Sequence, residues 1–209
     1  MKDNQKSWDS TWEMVFQTQE WGKYPSEELV RFIARNFYKV PDRKKIKMLD
    51  IGCGTGASTW YLSREGFSAY GIDGSETAIK IAKERFKNEN LEGEFNVGDF
   101  IKLDYPTNFF DCVIDVVALQ HNAPECLKVI LDEIFRVLKP NGKIFSIVLS
   151  NKSKLSKESN ACKGKGYIHF FSKEEITDLF SKFVNLNIES LERTDRENII
   201  AFYIIGAEK

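Results

Sequence analysis

The sequence has neither a C-x-x-C pair nor a histidine cluster: four scattered cysteines, Cys53, Cys112, Cys126 and Cys162, accompany only two histidines. That spacing argues against a zinc site, an iron–sulfur cluster or a disulfide framework, so no metal is expected. Cys53 and Cys112 lie in apolar, strand-like contexts and read as buried thiols. A charge surplus is also missing, since 30 basic residues face 31 acidic ones for a net charge of −1. Nucleic-acid binders draw affinity from neutralising phosphates and usually carry a basic excess, so the balance gives no support to such a partner. No run approaches the ~18 apolar residues of a membrane span. The opening MKDNQKSWDS lacks the apolar core of a signal peptide, and the expected compartment is the reducing cytosol. There is no internal repeat and no linker.

What is present suits a single α/β domain over residues 1–209, with 42% hydrophobic and 29% charged residues. Residues 1–25 are polar but carry Trp8, Trp12, Phe16, Trp21 and Tyr24. Ser26 caps a helix with Leu29, Val30, Ile33 and Phe37 at helical spacing. A regular alternation follows. Strands are expected at Ile46–Ile51, Ala69–Ile72, Gly93–Val97, Asp111–Val117 and Lys143–Leu149. Helices are expected near Ala57–Arg64, Ser75–Phe86 and Pro124–Leu138, with Pro140-Asn141-Gly142 as the last turn. Such alternation implies a doubly wound, mainly parallel sheet with helices on both faces. After a Lys- and Ser-rich stretch at 150–168, Ser172 and Glu175 form a capping box for a helix through Phe183. Asn185–Arg193 and Asn198–Gly206 read as an antiparallel pair.

The most informative segment is MLDIGCGTG, from Met48 to Gly56. A buried strand enters a turn with Gly52, Gly54 and Gly56, then runs directly into a helix. Glycines there permit positive φ and close approach of a ligand to the backbone, and the helix start presents unpaired N–H groups. Ala57 stands where the dinucleotide fingerprint has its third glycine. Asp50, at the carboxyl end of the strand, would repel a pyrophosphate but suit a ligand carrying an ammonium and a sulfonium. Asp73 ends the second strand at about the interval where an acid takes ribose hydroxyls. Asp99 ends the third strand, where it can accept from an adenine amino group, with Phe100 flanking the ring.

These residues together resemble the class I S-adenosylmethionine (SAM)-dependent methyltransferases over about residues 46–149. Asp50, Gly52, Gly54 and Gly56 match the first motif, Asp73 and neighbouring Gly74 the ribose acid, and Asp99 with Phe100 the adenine contact. Phe110–Asp115 matches the fourth-strand motif and Arg136–Gly142 the helix and turn before strand five. The resemblance implies SAM as cofactor, with S-adenosylhomocysteine (SAH) as product. It also implies a seven-stranded sheet whose last strand inserts antiparallel. Cys53 lies within the cofactor turn, and the turn after Asp115 would pass near the sulfonium. Residues 1–25 as a lid and 150–171 as a variable loop would build the acceptor pocket, and a sugar or other small metabolite is the implied acceptor.

SAM carries an activated methyl, so positioning comes before acid–base chemistry. If the acceptor is a hydroxyl or an ammonium, a general base helps. His121, just past strand four, and His169, at the end of the variable loop, are the candidates, each with a structural hydrogen-bonding role as the alternative. Asp115 would hold the methionine amino group or shape the pocket, whereas Asp111 reads as a strand cap. Trp21 and Tyr24, beside Gly22 and Pro25, suggest a lid over the acceptor. Trp8 and Trp12, spaced i, i+4, fit either a lid or an amphipathic helix continued by Phe16. Lysines 152, 154, 157, 163 and 165 read as a solvated loop before an anion-steering one. The competing readings are an RNA methyltransferase, a nicotinamide-dependent dehydrogenase and a non-catalytic SAM-binding partner subunit.

Overall fold

The computed structural model of the chain describes residues 7–155, 164, 166–195 and 198–209. Its centre is a seven-stranded sheet in the order β3-β2-β1-β4-β5-β7-β6. The strands are β1 (Lys47–Ile51), β2 (Ser68–Asp73), β3 (Glu94–Val97), β4 (Phe110–Val116), β5 (Leu138–Leu149), β6 (Val184–Asp195) and β7 (Asn198–Glu208). The first five pair in parallel, while β7 runs antiparallel between β5 and β6, as expected of the last strand.

Alternating side chains give each central strand two buried faces. Leu49, Ile51 and Val113 join one apolar cluster, with α5 (Pro124–Val137) and α6 (Lys173–Leu179) contributing Leu127, Ile130, Ile134 and Ile176. Met48, Cys112 and Ile114 point the other way, onto Leu29, Ile33 and Phe37 of α2 (Glu27–Phe37) and Leu62 of α3 (Ala57–Arg64). A third cluster seats α4 (Glu76–Asn88) through Ile79, Ala82 and Phe86. Ser26 and Ser75 cap α2 and α4 by accepting from the Leu29 and Ala78 amides, and the Ser172–Glu175 capping box opens α6.

Three local expectations change. Pro140–Gly142 lies within β5, where Asn141 adopts φ 63° and the β4–β5 register shifts between Phe110 and Cys112. The segment is therefore a bulge inside a longer strand rather than a turn ahead of one. α6 stops at Leu179, although Phe180 and Phe183 remain buried. Trp8 precedes α1 (Thr11–Thr18) instead of sharing its apolar face with Trp12 and Phe16.

The sheet order reverses between β1 and its neighbours β2 and β4, which opens a crevice beyond their carboxyl ends. α1 docks beside that crevice. Glu13 accepts from the hydroxyls of Ser75 and Thr77, both at 2.5 Å, placing a carboxylate at the positive start of α4. Asp111 behaves as the cap it was expected to be, accepting from the Lys47 amide at 2.8 Å and from Lys139 Nζ at 2.7 Å. Cys53 and Cys112 are buried free thiols, and Cys126 is buried as well. Cys162 and lysines 157, 163 and 165 lie outside the described residues; Lys152 and Lys154 belong to the loop tied down by the Ser150–Phe171 and Lys154–Ile199 bridges.

Candidate functional site

The cavity floor is built by backbone. As β1 ends, Gly52, Gly54 and Gly56 take φ of 62°, 52° and 84°, a left-handed run that turns the chain into α3. A Cβ on Gly52 would lie 2.3 Å from that of Ala118 across the crevice. Asp50 is buried beneath this turn and accepts from the Thr59 hydroxyl at 2.8 Å. Desolvation, reinforced by the nearby Asp115 and Asp73 charges, pushes its pKa up to about 7. Asp73, at the end of β2, accepts from the Gly54 amide at 2.8 Å and the Ser75 amide at 2.9 Å. Burial also raises its pKa, against the pull of those two bonds.

Opposite lies the turn after β4. Asp115 accepts from the amides of Ala118 (2.8 Å) and Leu119 (3.0 Å) and from the Ser146 hydroxyl (2.5 Å). Those bonds draw the turn tight around a buried carboxyl whose pKa desolvation raises to about 6. Val117 adopts φ 60°, a strained conformation for a β-branched residue, and its amide donates to the Ile147 carbonyl at 2.9 Å. The strained residue lines the cavity, which marks the turn as a place where shape is maintained at a cost.

The third side is aromatic and comes from the N-terminal segment. Trp12, Phe16 and Trp21 pack on one another with ring centroids 5.4–5.8 Å apart, and Trp12 also stands edge-on to His121 at 4.6 Å. Trp8 lies directly over Gly74, where an added Cβ would fall 2.4 Å from the indole. Tyr24, 74% exposed, leans on Trp60 at the mouth. His121 Nδ1 is 2.9 Å from the Tyr167 carbonyl, so Nδ1 carries the proton and Nε2 is the basic position. Tyr167 also donates its amide to Asp9, itself held below the usual carboxylate range chiefly by hydrogen bonds from Thr11. The cavity encloses about 1000 Å³, its open mouth included, and no lysine or arginine is among the described residues lining it.

Of the residues singled out from sequence, Asp50, Gly52, Cys53, Gly54, Asp73, Gly74, Phe100, Trp21, Tyr24 and His121 line this one cavity. Gly56 shapes it from behind as the N-cap of α3. Three others fall outside. Asp99 is engaged by the amide and hydroxyl of Ser7 and by the Ile101 amide at 3.0 Å. Asp115 accepts from its own turn and from Ser146 and is not among the residues that line the cavity. His169 is paired with Glu175 at 2.7 Å, and its amide donates to the Gln120 carbonyl, away from the cavity. The lining also contains Trp8 and Trp12, for which the sequence left a lid and a packed helix open, and Asp9, Phe16 and Asn122, which it did not single out for the site. The i, i+4 spacing of Trp12 and Phe16 signals an apolar stripe but not what faces it. Among the described residues no His, Cys, Asp or Glu group is arranged to hold a metal, and no helix is long and apolar enough to cross a membrane.

A switch-point crevice floored by a left-handed glycine turn and two strand-end carboxylates is the architecture of a nucleoside-cofactor site in an open α/β sheet. Residues 48–142 match the family model described as a methyltransferase domain. The sterol 24-C-methyltransferase of Saccharomyces cerevisiae is 33% identical over 138 residues, covering 62% of this chain and 36% of the relative. The demethylmenaquinone methyltransferase of Lactococcus lactis is 36% identical over 122 residues, covering 56% of this chain and 48% of the relative. The chain thus spans less than half the length of these curated relatives. A SAM-dependent methyltransferase structure from Methanosarcina mazei superposes with a TM-score of 0.68 at 24% identity, covering 84% of this chain and 96% of that one, a likeness of fold. These likenesses support a class I SAM-dependent methyltransferase domain over residues 48–142.

Proposed function

We propose that this protein transfers a methyl group from SAM to a small-molecule acceptor. The observation that carries the reading is the cavity's charge: Asp50 and Asp73 on the floor, with no lysine or arginine among the described lining residues. Such a site disfavours a pyrophosphate and suits a ligand with an ammonium and a sulfonium. The glycine turn leaves room for it at the backbone. Asp73 keeps lone pairs beyond the two given to Gly54 and Ser75, enough to accept from two ribose hydroxyls.

When bound, SAM supplies the activated methyl. The chain's own work is placement and desolvation. Asp50 compensates positive charge, Asp73 and Gly74 hold the ribose end, and Phe100 flanks the base. Asp115 acts at one remove, fixing the Val117–Leu119 turn against which the acceptor lies. Residues 7–25 are the described part of the lid, and Trp21 and Tyr24 bound the acceptor side. His121, whose Nδ1 carries the proton and whose Nε2 lies 3.4 Å from Gln120 Nε2, is the group at the cavity wall that would take a proton from an acceptor. His169 supports the 150–171 loop through Glu175.

The relatives named above act, by name, on sterols and on demethylmenaquinone, which favours a small molecule as acceptor here. Calorimetric titration with SAM, SAH and NAD tests the cofactor. Micromolar binding of SAM and SAH without NAD is the expected result, and NAD binding alone would replace the reading with a dehydrogenase. Once an acceptor is found, His121→Ala is expected to lower turnover while leaving SAH affinity within about twofold.

A further inference from the structure

We propose that the acceptor is an uncharged ring bearing a hydroxyl, and that Trp12 and Asn122 recognise that hydroxyl; the proposal rests on the methyl-transfer reading of this cavity. Trp12 Nε1 and Asn122 Oδ1 are buried polar atoms without a hydrogen-bond partner among the described residues. Buried donors and acceptors are seldom left unpaired, because each forfeits its hydration without compensation. Both residues line the same cavity, and neither belongs to the glycine floor or the strand-end acids.

The identity of the Asn122 atom follows from its surroundings. Asn122 is 1% exposed, and its Nδ2 donates to the Ala118 carbonyl at 3.0 Å and the Leu119 carbonyl at 3.2 Å. A flipped amide would set oxygen against two carbonyls, so the unpaired end is the oxygen. Two side chains that line the cavity therefore hold one buried unpaired donor, the indole N–H, and one buried unpaired acceptor, the amide oxygen.

A hydroxyl is the smallest group that satisfies both, accepting from Trp12 and donating to Asn122. An ammonium has no lone pair for the indole. A carboxylate or phosphate has no proton for Asn122, and no lysine or arginine is among the described lining residues to compensate its charge. The rest of the wall is apolar, with Trp12, Phe16 and Trp21 holding one another at 5.4–5.8 Å and interplanar angles of 39–86°. Such a surface takes the body of a ring while the pair takes its hydroxyl.

The test is calorimetry on SAH-saturated protein with 4-ethylphenol, ethylbenzene and 4-ethylbenzoate. 4-Ethylphenol is expected to bind about tenfold more tightly than ethylbenzene, with the benzoate weakest. Trp12→Phe keeps an aromatic ring but removes the N–H. It is expected to shrink the phenol-over-ethylbenzene ratio to about twofold and leave SAH affinity within twofold. Equal binding of phenol and ethylbenzene, or tightest binding of the benzoate, overturns the proposal. So does a Trp12→Phe protein that loses SAH affinity while keeping the phenol preference, because the indole N–H would then serve the cofactor. Failure of the unaltered protein to bind SAH in the first titration removes the methyl-transfer reading itself.

Discussion

The glycine floor of the cavity and its tryptophan wall face the same space but hold their shape by different means. The floor is backbone continued from the sheet: Asp73 grips the Gly54 amide, the Cys53 amide donates to the Ile72 carbonyl, and β1 is flanked on both sides by parallel partners. The wall is side chain, carried by a helix of 8 residues and tied to the rest through polar contacts. These ties are Ser7 to Asp99, Asp9 to the Tyr167 amide, Glu13 to Ser75 and Thr77, and the Lys23 carbonyl to Arg85. Regions held by few, partly solvated contacts open at lower free energy than core strands. The floor is therefore a preformed seat, and the wall a cover that can part from it without unfolding the sheet.

The largest effect expected from this contrast comes from Gly52→Val. The residue must adopt a φ of 62° with its Cβ 2.3 Å from Ala118 Cβ. Left-handed strain of roughly 1–2 kcal/mol and overpacking of roughly 1–3 kcal/mol should lower stability by about 3 kcal/mol and abolish SAH binding. Urea denaturation within about 0.5 kcal/mol of the unaltered protein would mean that the floor yields, and the contrast with the wall would fail.

Asp73→Asn follows. It nearly preserves side-chain volume but removes the carboxylate proposed to accept from the ribose, together with one of the two oxygens that accept from the Gly54 and Ser75 amides. We expect SAH affinity to fall about 10- to 100-fold by calorimetry, the cost of weakening two charge-assisted hydrogen bonds. Unchanged affinity would leave Asp73 as a brace for Gly54 and Ser75 only.

The same contrast explains how much was legible in the sequence. The floor could be read because its geometry restricts residue type at fixed offsets: left-handed turns at Gly52, Gly54 and Gly56, and acids at the carboxyl ends of β1 and β2. The element order followed from periodicity, and even the capping box at Ser172 survived. The wall was less legible, since a tryptophan at helical spacing looks the same whether it faces a core or a ligand. The spacing of Trp8 and Trp12 fits a lid and a helical stripe equally, and only the folded chain shows that Trp8 precedes α1 and covers Gly74. Asp115 and His169 were chosen by residue type and neighbourhood. What decided their roles was pairing, with Ser146 and with Glu175, which only the folded chain reveals.

Glu13 offers a smaller but more selective test. Replacing it with Gln weakens the acceptance of two hydroxyls and removes the favourable charge at the start of α4, an effect of about 1 kcal/mol. Amide exchange should quicken in residues 11–18 and stay unchanged in β1 and the glycine turn. Equal acceleration in both would show that cover and seat open together.

The smallest expected effect separates the two regions by their protons. Burial raises Asp50 to about 7, above its ordinary 3.8, whereas the wall acids Asp9 and Glu13 are held below the usual carboxylate range by hydrogen bonds. The folded ligand-free protein therefore carries an Asp50 proton that the unfolded chain has already lost between about pH 4 and 7. Stability from this group is complete below about pH 4 and is lost as the pH rises through about 7. An ammonium-bearing ligand reverses the preference at that site, because positive charge nearby favours the carboxylate. SAH binding should then expel the proton, and affinity should rise about threefold from pH 6.5 to 7.5 as the ligand-free carboxyl ionises. Calorimetry at pH 6.5 in two buffers of different ionisation enthalpy should register that release. The wall acids, already ionised there, contribute nothing to it. Proton release that survives Asp50→Asn would place the titrating group elsewhere, with Asp115 and Asp73, whose pKa values burial also raises, the next to examine.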